Sequence, residues 1–225
     1  MAKKTREQAL ATREQLLDAA ERVFRERGVG HTSLTEVSVA AGVTRGAVYW
    51  HFKDKADLFR AMVARAEMPH DRSLQEMAAA AEIDPLAAVR AGAIKALSQF
   101  ADDQRARDVF EIVFLRCEYT KELAPVQRRQ RDARLNCYGK IEAALRKAIK
   151  RGQLPPHVDA RLAARGLYAY VGGLIRDCLE APDEFDCARD APALIDFYIG
   201  GLRNSAPRRA ARPTSARKPV RRRAA

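Results

Sequence analysis

Histidine is scarce in this chain, with four in 225 residues, at His31, His51, His70 and His157. They lie far apart, with no nucleophile–base grouping and no metal-ligand spacing around them. No enzymatic activity, metal or cofactor is therefore expected. The four cysteines (Cys117, Cys137, Cys178, Cys187) form no C-x-x-C pair. No apolar signal region follows Met1-Ala2-Lys3-Lys4-Thr5, so the cysteines are expected to be reduced and packed in helices, and the location cytoplasmic. Long apolar runs are also missing. The longest stretch without a charge is Gly166 to Ile175, ten residues, which cannot span a bilayer. Aromatics make up 7%. No run of β-branched alternation occurs and no internal repeat is found. Ala, Leu, Arg, Glu, Lys and Gln dominate, which predicts an all-α fold.

Charge is plentiful and unevenly placed. Of the net +12, residues 203–225 carry nine Arg/Lys and no acid, and residues 1–60 carry 11 basic against 8 acidic residues. Residues 61–202 carry 21 of each. A neutral body with a mildly basic start and a strongly basic end suggests a nucleic-acid-binding head on a scaffold with another task. From Ala206 onward Pro, Arg, Ala and Ser alternate without apolar periodicity, and 205–225 reads as a disordered basic tail.

Helical periodicity organises the rest. A first helix is predicted from about Gln8 to Arg27, with Thr5-x-x-Gln8 and Thr12-x-x-Gln15 as rival capping boxes and Gly28 as its stop. A short helix opens at the capping box Ser33-x-x-Glu36 and stops at Gly42. Another runs from Thr44 or Arg45 to Phe52, and Asp54 caps a fourth. Further helices follow from Pro69 to Ala81, from Asp84-Pro85, through Phe110 to Cys117, from Pro125 to Arg151, and over about 159–180 and 186–202.

Two short helices joined by a Gly turn and preceded by a longer one have the form of a helix-turn-helix over 33–52. On the second short helix Val48 and Phe52 share a side and can pack inward. Gly46, Ala47, Tyr49 and Trp50 face outward. Gly46 and Ala47 are small enough to let the backbone enter a major groove, and Ala47 can touch a thymine methyl. Arg45, beside Thr44 at the helix start, is suited to bidentate bonding with guanine. Tyr49, Trp50, His51, Lys55 and the helix start at Ser33 are candidate phosphate donors. The alternative is that Tyr49-Trp50-His51-Phe52 is merely core of a small bundle.

The string AGVTRGAVYWHFKDKADLF at residues 41–59, preceded by Thr32-Ser33-Leu34-Thr35-Glu36-Val37, resembles the TetR family of bacterial repressors, and within it the AcrR/TtgR branch that represses multidrug efflux pumps. Weaker likeness continues through Phe114–Tyr119, Arg151–Pro155 and Ala169–Ile175, and nothing carries over onto the tail. The resemblance implies nine helices: a head reading DNA (residues 10–70, after an arm at 1–9) and a ligand-binding and dimerisation domain (71–204). It implies a homodimer through the last two helices. Gly166, Ala169, Gly172 and Gly173 would allow close approach there, and Leu162, Leu194, Phe197 and Tyr198 would supply apolar area. Matching positions imply a largely apolar ligand pocket. Met62, Ala66 and Glu67 would come from the helix leaving the head, with Ala93, Leu97, Phe110 and Phe114 behind it. Cys137, Tyr168, Val171, Gly172 and Ile175 would complete it. Glu67 would favour cationic compounds.

The function expected on this basis is a ligand-responsive repressor with three partners: double-stranded operator DNA, a small hydrophobic or cationic inducer, and a second copy of the chain. A DNA coater driven by the tail, and an activator or dual regulator on the same fold, remain open alternatives.

Overall fold

Ten α-helices form among residues 2–65, 69–118 and 120–207, which are the residues described by the computed structural model, and no strand occurs among them. In order they are α1 (Ala2–Arg27), α2 (Leu34–Ala40), α3 (Arg45–His51), α4 (Lys55–Arg65), α5 (Pro69–Ala80), α6 (Pro85–Asp102) and α7 (Gln104–Leu115), then a 3-10 turn (Lys121–Leu123), α8 (Ala124–Lys150), α9 (Ala160–Glu180) and α10 (Cys187–Arg203). The count exceeds nine because α4 and α5 are counted apart, with residues 66–68 between them outside the described residues. Residues 208–225, which hold most of the proposed tail, lie outside the described residues.

The caps explain most boundaries. Asp84, Asp103, Asp159 and Asp186 each accept the backbone N–H three residues on (3.1, 3.1, 3.1 and 2.9 Å), which opens α6, α7, α9 and α10. Gly28 and Gly42 adopt φ of +81° and +67°, the left-handed geometry that ends α1 and α2. At its start α1 departs from expectation. It begins at Ala2, so residues 2–9 continue the helix instead of preceding it. Both Thr5 and Thr12 lie inside it, and the Thr12 hydroxyl donates to the Gln8 carbonyl at 3.0 Å instead of capping.

Two cores form. The first gathers Leu16, Leu17, Ala20 and Phe24 of α1, Val37 of α2, Val48 of α3, and Leu58, Phe59 and Met62 of α4. Val109 and Ile112 of α7 are buried in it too, with Leu123 and Val126. The second fills the space between α5, α6, α8, α9 and α10, and Phe110 of α7 belongs to it. α7 is therefore shared: one face completes the head and an adjacent face lies against the larger body.

Two expectations are corrected at α9 and α10. Cys178 and Cys187 are disulfide-bonded with their Cα atoms 5.9 Å apart, because the turn between the helices brings the end of α9 onto the start of α10. Cys117 and Cys137 are free. Gly166 serves the chain's own packing. Tyr198 of α10 donates from its hydroxyl to the Ala163 carbonyl at 2.7 Å, and a Cβ on Gly166 would lie 2.6 Å from that hydroxyl. Leu162 and Phe197 stay exposed.

Candidate functional site

The head's outer face is built on two capped helices of seven residues. At α2, the Ser33 hydroxyl accepts the Glu36 backbone N–H at 3.2 Å, and the Glu36 carboxylate accepts the Ser33 N–H at 2.7 Å. The Ser33 N–H, then the Ser33 hydroxyl, and more weakly Arg27 at 2.9 Å hold the Glu36 carboxyl below its ordinary range. The Ser33 N–H and hydroxyl are therefore already engaged within the head. Arg22 of α1 donates to the Ala40 carbonyl at 3.1 Å and satisfies the other end of α2.

In α3 Thr44 is the N-cap and accepts the Ala47 N–H at 3.3 Å. Val48 and Phe52 are buried, as the wheel predicts. Arg45 and Gly46 are exposed, Ala47 is half-buried, and Tyr49 and Trp50 are 49% and 72% exposed. The Arg45 guanidinium lies 5.6 Å over the Tyr49 ring, a cation–π contact that steadies a long side chain on the open face. His51 is half-buried, with its ring edge-on to Trp50 at 4.5 Å. Burial, helped by the charge of Arg13, pushes it below the ordinary histidine value.

Lys55 is turned into the head. Its side chain is 11% exposed, and its Nζ donates to the carbonyls of Thr32 (3.0 Å) and Gly30 (3.4 Å) and pairs with Glu122 at 3.3 Å. These partners hold the ammonium inside the head, so the expected phosphate contact is corrected to a structural one.

The head is tied to α7 by several links. The Val29 N–H donates to the Arg116 carbonyl at 3.0 Å, and Arg25 pairs with Asp108 at 2.6 Å. Within the head, Arg65 at the end of α4 pairs with Glu14 (3.0 Å), Asp18 (2.8 Å) and Glu21 (2.5 Å) of α1.

Across α7 from the head lies an open cavity of about 1500 Å³, bounded by the end of α4, α5, the α6–α7 junction, α7, the first half of α8 and Tyr168 of α9. Three of the expected pocket residues, Phe110, Phe114 and Tyr168, line it. Phe110 and Phe114 stack at 5.5 Å, and Tyr168 meets Tyr138 edge-on at 5.1 Å. Met62 is buried in the head core, and Ala93, Leu97, Cys137 and Ile175 in the second core, so none of these five lines the cavity. Val171 packs partly buried against the second core, and Gly172 is half-exposed with nothing within 4 Å of a Cβ. Ala66 and Glu67 lie outside the described residues.

The lining also differs from the expected apolar one. It holds Arg60, Arg72, Arg105, Arg128, Arg129, Arg131 and Arg134 against Asp102 and Asp103. Nothing local in the sequence around the α8 arginines tells that their face borders a concavity.

Comparison with known proteins agrees with this arrangement of head, α7 and body. Residues 16–62 match the model described as bacterial regulatory proteins, tetR family. Residues 84–203 match the MAATS-type transcriptional repressor, C-terminal region. The HTH-type transcriptional regulator TtgR of Pseudomonas putida is 38% identical over 205 residues, 91% of this chain and 98% of that protein. The regulator AcrR of Shigella flexneri is 40% identical over 203 residues, 88% of this chain and 94% of its own. The crystal structure of NalD, the secondary repressor of the MexAB-OprM multidrug efflux pump in Pseudomonas aeruginosa, superimposes with a TM-score of 0.80 at 34% identity, covering 89% of this chain and all (100%) of that one. With an exposed recognition helix on a head joined through α7 to a cavity-bearing helical body, this chain belongs to the TetR family of bacterial regulatory proteins and is a DNA-binding transcriptional repressor of the MAATS type.

Proposed function

We propose that the chain is a ligand-responsive repressor of a multidrug efflux-pump operon, acting in the cytoplasm. It binds a near-palindromic operator as a homodimer and leaves it when a small compound fills the cavity. The role of α7 carries this reading. Val109 and Ile112 are buried in the head while Phe110 and Phe114 stand on the cavity wall, so a compound pressing on one face of the helix moves the other. The compound acts only through unequal affinity for the operator-bound and free states. The functional division is 10–70 for the DNA-binding head, with its helix-turn-helix at 33–52, and 71–204 for ligand binding and dimerisation. The exposed Leu162 and Phe197 favour a dimer face on α9 and α10. Such a dimer sets two α3 helices about 34–36 Å apart, on successive major grooves.

Arg45 reads bases, and Gly46 with Ala47 lets α3 enter the groove. Thr44, Tyr49, Trp50 and His51 position it against the backbone. In the cavity the compound meets Phe110, Phe114 and Tyr168. The part of the expectation that concerns cationic compounds rests on Glu67.

Footprinting on the DNA flanking the gene tests the proposal. The expected result is a discrete, dyad-symmetric footprint that survives deletion of residues 206–225 and is lost on adding efflux-pump substrates. Smeared protection that disappears with the tail overturns it in favour of a sequence-independent coater.

A further inference from the structure

We propose that the cavity selects an anionic amphiphile, a carboxylate or phosphate head on an apolar, aromatic body. The inference rests on the reading of the chain as a ligand-responsive repressor and names the ligand class of that same cavity. The floor supplies the apolar half: the stacked rings of Phe110 and Phe114, with Val113 beside them on α7 and Val126 opposite on α8.

The wall supplies the charge. Arg128, Arg129, Arg131 and Arg134 occupy two turns of α8, all exposed, and none makes an ion pair among the described residues. Gln127, Arg131 and Arg134 fall at i, i+4 and i+7, one face of the helix, and all three line the cavity. Asp132, the acid within the same turns, lies off that lining. Of the other lining arginines, Arg60 pairs with Asp57 and Arg105 faces Asp18 and Glu21 at 3.7 and 3.9 Å, while Arg72 stands on α5. Of the two lining acids, Asp103 is committed to capping α7.

Tyr168 stands where the two halves meet. Burial holds its phenol above the ordinary value and Arg134 pulls the other way, so the guanidinium and the phenol share one neighbourhood. A phenol that stays protonated is a hydrogen-bond donor to an anionic head. Uncompensated guanidinium groups around a concave, apolar site concentrate positive potential there and offer planar forks matching carboxylate or phosphate. A cationic head meets the same wall as repulsion.

Calorimetric titration of the full chain with 2-naphthoate, 2-naphthyl phosphate, 2-naphthylmethanol and 2-naphthylmethylammonium keeps the ring constant and varies the head. Both anions are expected to bind about tenfold or more tighter than the alcohol, and the ammonium weakest. The ratio between the two anions separates a carboxylate ligand from a phosphate one. The triple substitution Arg128→Gln, Arg131→Gln, Arg134→Gln is expected to erase the anion preference and leave the alcohol's affinity, the melting temperature and the operator footprint as they were. Equal binding of all four heads, tighter binding of the ammonium, binding of none, or an anion preference that survives the triple substitution overturns the inference. A footprint with no anion preference leaves the repressor reading standing, whereas absence of any footprint removes that reading while the titrations still report on the cavity.

Discussion

The backbone N–H of Val29, one residue past the end of the first helix and its glycine cap, donates to the carbonyl oxygen of Arg116 at 3.0 Å. The bond joins the loop that launches the helix-turn-helix to the C-cap of α7, the helix whose other face borders the cavity. Gly28 makes the approach possible, since its φ is +81° and a Cβ there would stand 3.2 Å from the same oxygen. Gly28→Ala is expected to destabilise the fold by about 1–2 kcal/mol from the left-handed backbone. It should also weaken the effect of an inducer on operator binding, because the joint must open. Denaturant melts and operator titrations with and without inducer check both, and an unchanged inducer response removes the joint from the mechanism.

Lys55 and Arg45 separate structure from recognition. Lys55→Met leaves the Thr32 and Gly30 carbonyls and Glu122 without their partner, and should cost about 1–3 kcal/mol of stability. The salt slope of operator binding should not change, because the ammonium releases no counterion from DNA. A slope lowered by about one would instead show a phosphate contact.

Arg45→Ala is expected to cost about 1–3 kcal/mol of operator affinity and to relax specificity at one base pair. Tyr49→Phe keeps the ring under the guanidinium and loses the hydroxyl, so binding should weaken alike on all sequences. Competition titrations against an operator series distinguish the two patterns.

Acid should loosen the fold. Glu36, Asp84 and Asp196 all lie below the ordinary carboxylate range. The largest causes are the backbone N–H of Ser33, the backbone N–H of Ala87, and the Arg90 side chain respectively. Because the folded values are the lower ones, the stability they contribute is present above the ordinary carboxylate range and is lost as pH falls through that range toward the depressed values. Denaturation midpoints from pH 6 to pH 2 should fall, and Asp84→Asn, which keeps an acceptor at the cap, should flatten part of that fall.

Cys117 reports on the cavity. Burial raises its thiol to about 11, with Lys55 pulling slightly downward. At pH 8 about a thousandth is thiolate, so alkylation by iodoacetamide should be far slower than for a free thiol. A compound in the cavity, which Cys117 lines, should slow it further. Rapid alkylation unaffected by cavity ligands counts against the described position.

Helix boundaries were legible in the chain because their signals are local. Ser33 with Glu36, Thr44, and the Asp caps at 84 and 159 each act within three residues. The inward Val48 and Phe52 and the outward Tyr49 and Trp50 follow from helical spacing alone. The start of α1 differs from expectation because a threonine can cap a helix or, as Thr12 does here, bond back along one.

What the sequence by itself determined, then, is an all-helical chain with a recognition helix of known face. Its periodicity and caps act at short range, where 3.6-residue spacing governs. Only the tertiary structure decided that Lys55 turns inward, that Gly166 makes room for Tyr198, that Cys178 meets Cys187, and that α8's arginines border a cavity with an aromatic floor. Each of these depends on which helix packs beside which. That choice comes from the burial of side chains distant along the chain, and no local pattern encodes it.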